Sequence, residues 1–324
     1  MKVLCNKFKS IFMKSILLIV SISLLLFSCS KQKRSDKKGP KMQQFVIDIS
    51  NYARGIKSDF IVIPQNGSEL GFNNLDPADG PNTDYLNAID AFGIEELFYN
   101  GSALEMDERL GNLKTLSAFK PVLVSEFVNN NNNVSNAIQK NANEGFLCFT
   151  RMSNDYYYEY IPDTIPNENA NDINTMNDVQ NYLYLISNSQ FESKQALIDA
   201  VNATNYDLIL IDLFYNETPF SSSEINALKT KANGGKRLVI SYMNIGSAEN
   251  YRYYWQNDWK KGHPNWLKKP YEGYKDEIWV KFWKKEWQDI IYGNANSYTK
   301  KVLLAGFDGV YLDNVEAYYF LYFD

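Results

Sequence analysis

Polar groups able to do chemistry stand where the apolar runs of this 324-residue chain stop. In GFDGVYLDNVEAYY, residues 306–319, the run Val310, Tyr311, Leu312 gives way to Asp313, Asn314 and Glu316. IEELFYN sets Glu95 against an apolar run, PVLVSEF carries Glu126, GFLCFTR ends in Arg151, and DLILIDLF holds Asp212 near its end. FIVIP leads straight into Gln65, Asn66 and Gly67. A carboxylate delivered where a buried strand ends lies at a sheet edge that a ligand can reach. Any one of them taken alone reads first as a helix cap, a role for which Asp and Asn are favoured and whose loss costs about 1 kcal/mol. Recurrence along the chain is what argues for convergence. Paired Asp and Glu groups across a cleft suit glycoside hydrolysis: one acid protonates the leaving oxygen while the other attacks the anomeric carbon or activates water. The 23 tyrosines and 6 tryptophans include rings that suit sugar faces and aminosugar cations, although most must serve the core or its rim.

Other chemistries find little support. The single histidine, His263, lies in GHPNWL between Trp259 and Trp266 and reads as a loop residue. It cannot supply a histidine-rich metal site or a convincing triad. Of three cysteines, Cys5 and Cys29 lie near the N-terminus, and Cys148 sits in the apolar GFLCFT as a small buried hydrophobe. That leaves no disulfide framework, and no metal or cofactor is expected. With 33 basic against 38 acidic residues and a net charge of −5, the chain has no basic footprint, so nucleic acid is not an expected partner.

The N-terminus reads as an export signal over residues 1–28. Lys2, Lys7, Lys9 and Lys14 precede SILLIVSISLLLF, residues 15–27, a run too short to span a bilayer comfortably. Met13 offers a second start. Leu26, Phe27, Ser28 and Cys29 resemble a bacterial lipobox, with Phe27 bulkier than that pattern prefers. Cys29 is therefore the expected lipid carrier, placing the protein on a membrane, at its periplasmic face or on the cell surface. Residues 29–44, charged and without apolar period, read as the tether.

At 45% hydrophobic residues the 324-residue chain can bury a large core, and residues 45–324 read as one domain. Helical spacing appears at 45–54, 84–92, 191–203 and 221–235. Buried strands are expected at 60–64, 94–100, 121–127, 145–151, 182–187, 207–214, 237–249, the last of these running into a polar loop, and at 310–312, ending at Asp313. Their near-continuous apolar runs indicate parallel strands covered on both faces. Eight such strands predict a closed (β/α)8 TIM-type barrel, at whose mouth the strand-end groups would meet. The polar stretch 162–181 reads as a linker, and 251–287, which holds every tryptophan, as a long loop with short helices.

Three motifs carry a resemblance. DLILIDLF, ISYMNIGSAENYRYYW and GFDGVYLDNVEAYY resemble, in order, the signature of the glycoside hydrolase family that includes endo-α-1,4-polygalactosaminidases and related hypothetical TIM-barrel proteins. The resemblance implies that these segments form the second, third and fourth barrel strands. The family's later strands are similar to FIVIPQNG, GIEELFYNG, VLVSEFV and GFLCFTR at the front, so the chain looks circularly permuted, with 162–181 joining the original ends. It further implies Asp313 as nucleophile and Glu95 as acid/base. Asp212, Tyr242, Glu249, Arg252, Gln65, Asn66, Glu126 and Glu316 are the implied substrate-binding residues, Glu316 replacing an aspartate common in the family. The expected function is a retaining, endo-acting glycosidase on an aminosugar polysaccharide, working as a monomer. The alternative is a non-catalytic carbohydrate-binding or surface-interaction lipoprotein, since a fold does not guarantee an activity. A metal-dependent deacetylase is disfavoured by the lone His263.

Overall fold

The apolar runs become strands: β1 (Ile61–Pro64), β2 (Phe92–Ala103), β3 (Val122–Val128), β4 (Leu147–Arg151), β5 (Tyr182–Leu185) and β6 (Leu208–Asp212). They are followed by β7 (Phe214–Tyr215), β8 (Thr218–Pro219), β9 (Leu238–Asn244), β10 (Ser247–Glu249), β11 (Leu267–Tyr271), β12 (Tyr274–Val280) and β13 (Gly309–Asp313). This computed structural model describes residues 33–105, 107–153 and 156–323, so the expected signal peptide and Cys29 lie outside the described residues.

Two parallel sheets form the centre of an α/β fold, one ordered β5-β6-β9-β13-β1 and the other β2-β3-β4. Every residue of β1, β5 and β9 is buried, as strands covered on both faces require. β13 pairs with β1 on one side, Ile61 opposite Gly309, and with β9 on the other, Asp313 opposite Asn244. A Cβ on Gly309 would lie 2.3 Å from the Ile61 carbonyl oxygen, so only glycine permits this approach of the two strands. Between the sheets, an isolated parallel bridge joins Gln65 to Gly93, and the Asn66 N–H donates to the Gly93 carbonyl at 2.7 Å. At the opposite seam, Phe149 of β4 packs against Tyr182 and Tyr184 of β5, with ring centroids 5.8 and 6.4 Å apart. Among the described residues no ladder joins β4 to β5, so the hydrogen-bonded closure expected of a barrel is not reached. A single apolar core nevertheless runs through both sheets, including Ile63, Ile94, Phe149, Tyr184 and Tyr311.

The helix expected from Phe45 starts earlier, at Gly39, and runs to Arg54. Pro40 fits its first turn, where no N–H partner is needed. Met42 is buried, and Gln43 donates to the carbonyls of Leu70 and Phe72 at 2.8 and 2.9 Å, so the end of the expected tether is held in the fold. Residues 162–181 are irregular, with a short turn of 3-10 helix at Met176–Asp178. Side chains still pin this stretch, since Ile173 and Met176 are buried and Asn169 donates to both Asp207 oxygens. The tryptophan-rich stretch differs from expectation. It supplies two strands, β11 and β12, of a three-stranded antiparallel sheet that β10 completes, and their hairpin turns at Glu272 and Gly273, with Gly273 at φ 86°. PYEGYKDEIWV is two strands around a glycine turn, and its many aromatic residues obscured that pattern.

Candidate active site

The strand ends open on one cavity of about 1480 Å³. Gln65, Asn66, Glu95, Asp212, Tyr242, Glu249, Arg252, Asp313 and Glu316 all line it. Asp313, at the end of β13, accepts from the Tyr242 hydroxyl at 2.5 Å through Oδ2 and from the Asn314 N–H at 2.7 Å through Oδ1. Glu95 reaches the cavity from the other sheet. Its Oε1 accepts from the Tyr158 hydroxyl at 2.5 Å, while Asn66 Nδ2 stands 3.4 Å from its Oε2. The Asn66 Oδ1 accepts the Glu95 N–H at 3.1 Å, and Gln65 is fixed by the Tyr184 hydroxyl at 3.1 Å.

Charge is unevenly distributed around this space. Arg252 donates to both oxygens of Asp212, at 2.9 and 2.7 Å, and to both of Glu249, at 2.7 and 3.0 Å. One guanidinium thus serves two carboxylates. Glu277, on β12, accepts from Asn244 Nδ2 at 3.1 Å and from the Ser247 hydroxyl, and no ion pair to it is found among the described residues. Burial, followed by repulsion from Glu249, pushes its carboxyl up to about 8. Burial and then the charges of Glu69, Glu95 and Asp313 push Glu316 up to about 8 as well, against the pull of Arg109. Asp313 rises to about 7, from burial first and the Glu95 charge second, although Tyr242 and Asn314 stabilise its anion. Burial raises Glu95 too, opposed by the Tyr158 bond and by Arg151. Two neighbouring carboxyls that resist ionising together are the arrangement in which one holds a proton near neutrality.

Left-handed backbone is concentrated at the mouth. Among the lining residues Asn66 (φ 60°), Tyr156 (φ 57°), Tyr158 (φ 48°), Asn216 (φ 53°) and Asn314 (φ 60°) adopt it, as does Glu96 (φ 54°) next to Glu95. Asparagine tolerates this region, whereas a glutamate or tyrosine there costs about 1 kcal/mol or more.

Glu126 does not belong to the mouth. Beyond Glu95, paired with Ser125, β2 bulges, and its pairing resumes only at Asn100 opposite Phe127. Glu126 is fully buried opposite that bulge, accepting from the N–H groups of Phe98 and Tyr99 at 3.0 Å and from Asn141 Nδ2 at 2.8 Å. It satisfies the donors that the bulge orphans. Its neighbour Ser125 points the other way, toward Tyr158.

The decisive comparison concerns the second part of the chain. Residues 167–321 match glycoside-hydrolase family GH114. Uncharacterized proteins of Methanocaldococcus jannaschii (37% identical over 131 residues, 40% of this chain and 36% of the relative) and Deinococcus radiodurans (36% over 125 residues, 38% of each) are similar to it. So is one from Thermotoga maritima, 30% identical over 119 residues, 36% of this chain and 35% of the relative. The chain thus spans little more than a third of the length of each of these relatives.

Asp212, Tyr242, Glu249, Arg252, Asp313 and Glu316 fall within the GH114 segment, and Glu95, Gln65 and Asn66 outside it. Some lining residues escaped the sequence reading. Glu277, Tyr271 and Tyr274 come from the antiparallel sheet inside the GH114 segment, with the Tyr271 hydroxyl 3.3 Å from Asn314 Oδ1. Tyr158 comes from the segment after β4. The run of three tyrosines at 156–158, a few residues beyond a strand end, was the available signal.

Proposed function

We propose that the protein is a retaining glycoside hydrolase with Asp313 as nucleophile and Glu95 as acid/base. The observation that carries this reading is that two carboxyls from different parallel sheets, one inside and one outside the GH114 segment, line the same cavity, each bonded to a tyrosine hydroxyl. In the first step Asp313 attacks the anomeric carbon as Glu95 protonates the departing glycosidic oxygen. In the second, Glu95 takes a proton from water, which displaces Asp313 from the sugar. The bonds from Tyr242 and the Asn314 N–H favour the ionised nucleophile.

The substrate we propose is an aminosugar polysaccharide, cut internally. Support comes from the surplus of carboxylates over cations in the cavity, from Glu277, to which no ion pair is found among the described residues, and from the Tyr271 and Tyr274 rings beside it. α-1,4-linked galactosamine is the particular polymer we favour. Incubation with polymers bearing free amino, N-acetylated or hydroxyl substituents, followed by NMR of the products, is expected to release oligosaccharides of retained anomeric configuration from the amino polymer. Glu277→Gln should raise KM for that polymer about 10-fold, the loss of one charge-assisted contact, and leave the neutral polymers unchanged. Release from no polymer would favour the carbohydrate-binding lipoprotein, and inverted products would remove the covalent mechanism.

We further infer that the two sheets close as a (β/α)8 barrel whose chain is permuted. The spatial order β5-β6-β9-β13-β1, the Gln65–Gly93 bridge to β2 and the continuous core support it. Export and lipid anchoring through Cys29 remain our reading of the leader. Cys29→Ser is expected to move the protein from the membrane fraction to the soluble one, and unchanged fractionation would discard the anchor.

A further inference from the structure

Tyr158 joins four strands at the seam where no ladder runs. Its hydroxyl donates to Glu95 Oε1 of β2 at 2.5 Å and accepts from the Ser125 hydroxyl of β3 at 3.0 Å. Its ring stacks on Tyr184 of β5 at 3.7 Å between centroids, 11° from parallel, and stands 6.2 Å from Phe149 of β4. Its own carbonyl accepts the Ser187 N–H at 3.4 Å. This tyrosine is 5% exposed and sits at φ 48°, so a bulky residue is held in backbone that it ordinarily avoids. Such strain persists only where the surroundings over-determine it.

The two oxygens of Glu95 are consequently unequal. Oε1 is taken by a short bond from a phenol that is itself fixed by a serine and a stacked ring. Oε2 is approached by Asn66 Nδ2 at a long 3.4 Å, and Gln65 also bears on the carboxyl, more weakly than Tyr158. We propose that Tyr158 is the positioning residue of the acid/base: it turns Glu95 so that Oε2 is the atom that gives and takes the proton, and it does so from a loop outside the GH114 match. The assignment rests on the role of Glu95 proposed above. Asp313 has the matching partner in Tyr242, so each reacting carboxyl is oriented by one phenol.

The phenol also bears on titration. Glu95 is faced by Tyr158, Gln65, Arg151 and Glu96, and its charge is felt by Asp313, Glu316, Tyr274 and Tyr311. Among these the Tyr158 bond is the largest influence holding Glu95 down against burial. Its removal must raise Glu95, because a donor to the carboxylate stabilises the charged form.

Tyr158→Phe keeps the ring and its stack. It is expected to lower kcat about 10- to 100-fold with KM within about 2-fold, the scale of a misplaced catalytic group. The limb of the kcat/KM profile that reports Glu95 should move to higher pH, and the loss should be largest for poor leaving groups. Ser125→Ala, which removes only the support of the phenol, should move the limb the same way by less. A pH limb unmoved in both variants would overturn the proposal, as would a loss confined to KM. Should the wild-type protein cleave no polymer, the glycosidase reading fails by itself. Infrared titration of isotopically labelled glutamate, with Glu95→Gln to assign the signal, then tests Tyr158 alone. A Glu95 carboxyl titrating higher in Tyr158→Phe than in wild type supports the orientation, and coincident titrations refute it.

Discussion

Asp313→Asn is expected to lower kcat/KM by about 10⁴-fold or more, the effect of losing a group that must form a bond to the substrate. The fold should gain stability from the same change. Asp313 is raised from its ordinary carboxylate range to about 7, so the folded state binds that proton more tightly than the unfolded chain does. Its contribution is therefore favourable at low pH and is lost as pH rises through about 7. At pH 8 the asparagine variant should melt higher than wild type, and the difference should close as pH approaches 4. Azide should restore turnover in Asp313→Gly by filling the vacated space and attacking the anomeric carbon. Activity within 10-fold of wild type, or a variant that melts lower at every pH, would place the nucleophile elsewhere.

The second large effect concerns the joining of the two sheets. Residues 45–161 contain β1 and the β2-β3-β4 sheet, but β1 takes its ladder from β13, far along the chain. Expressed alone, this piece would leave β1 without a partner and expose strand edges. It should show no sharp thermal transition. Co-refolding with residues 162–323 should restore both the transition and the activity. A monomeric 45–161 fragment that melts cooperatively would separate the sheets into independent units and defeat the single-barrel inference.

What the sequence made legible follows from how buried parallel strands are written. Val310 to Leu312 and Leu208 to Ile211 are apolar without interruption, so the first charged group marks the strand end, and Asp313 and Asp212 stand out. The same rule misplaced Glu126. Adjacent residues on a strand point to opposite faces, and in VLVSEFV nothing local says that Ser125 faces inward while Glu126 meets the β2 bulge. The bulge itself is set by pairing between strands. Glu277 was illegible for another reason: it arrives on an antiparallel hairpin whose alternation is hidden among tyrosines and tryptophans. Tyr158 sits in irregular backbone, where no periodicity predicts which of three successive tyrosines turns inward.

The position of β13 between β1 and β9 has a consequence for the order of events during synthesis. Both neighbours leave the ribosome before the strand that lies between them. From β1 to β13 the ribosome needs roughly tens of seconds at typical elongation rates of about 5–20 residues per second. Through that interval β1 lacks its partner, as β9 does once it has been made, and the nucleophile proposed at Asp313 does not yet exist. The nascent polypeptide therefore cannot lock early. A secretion channel accepts threadable chain, and under the export proposed here the late arrival of β13 postpones folding until the far side of the membrane.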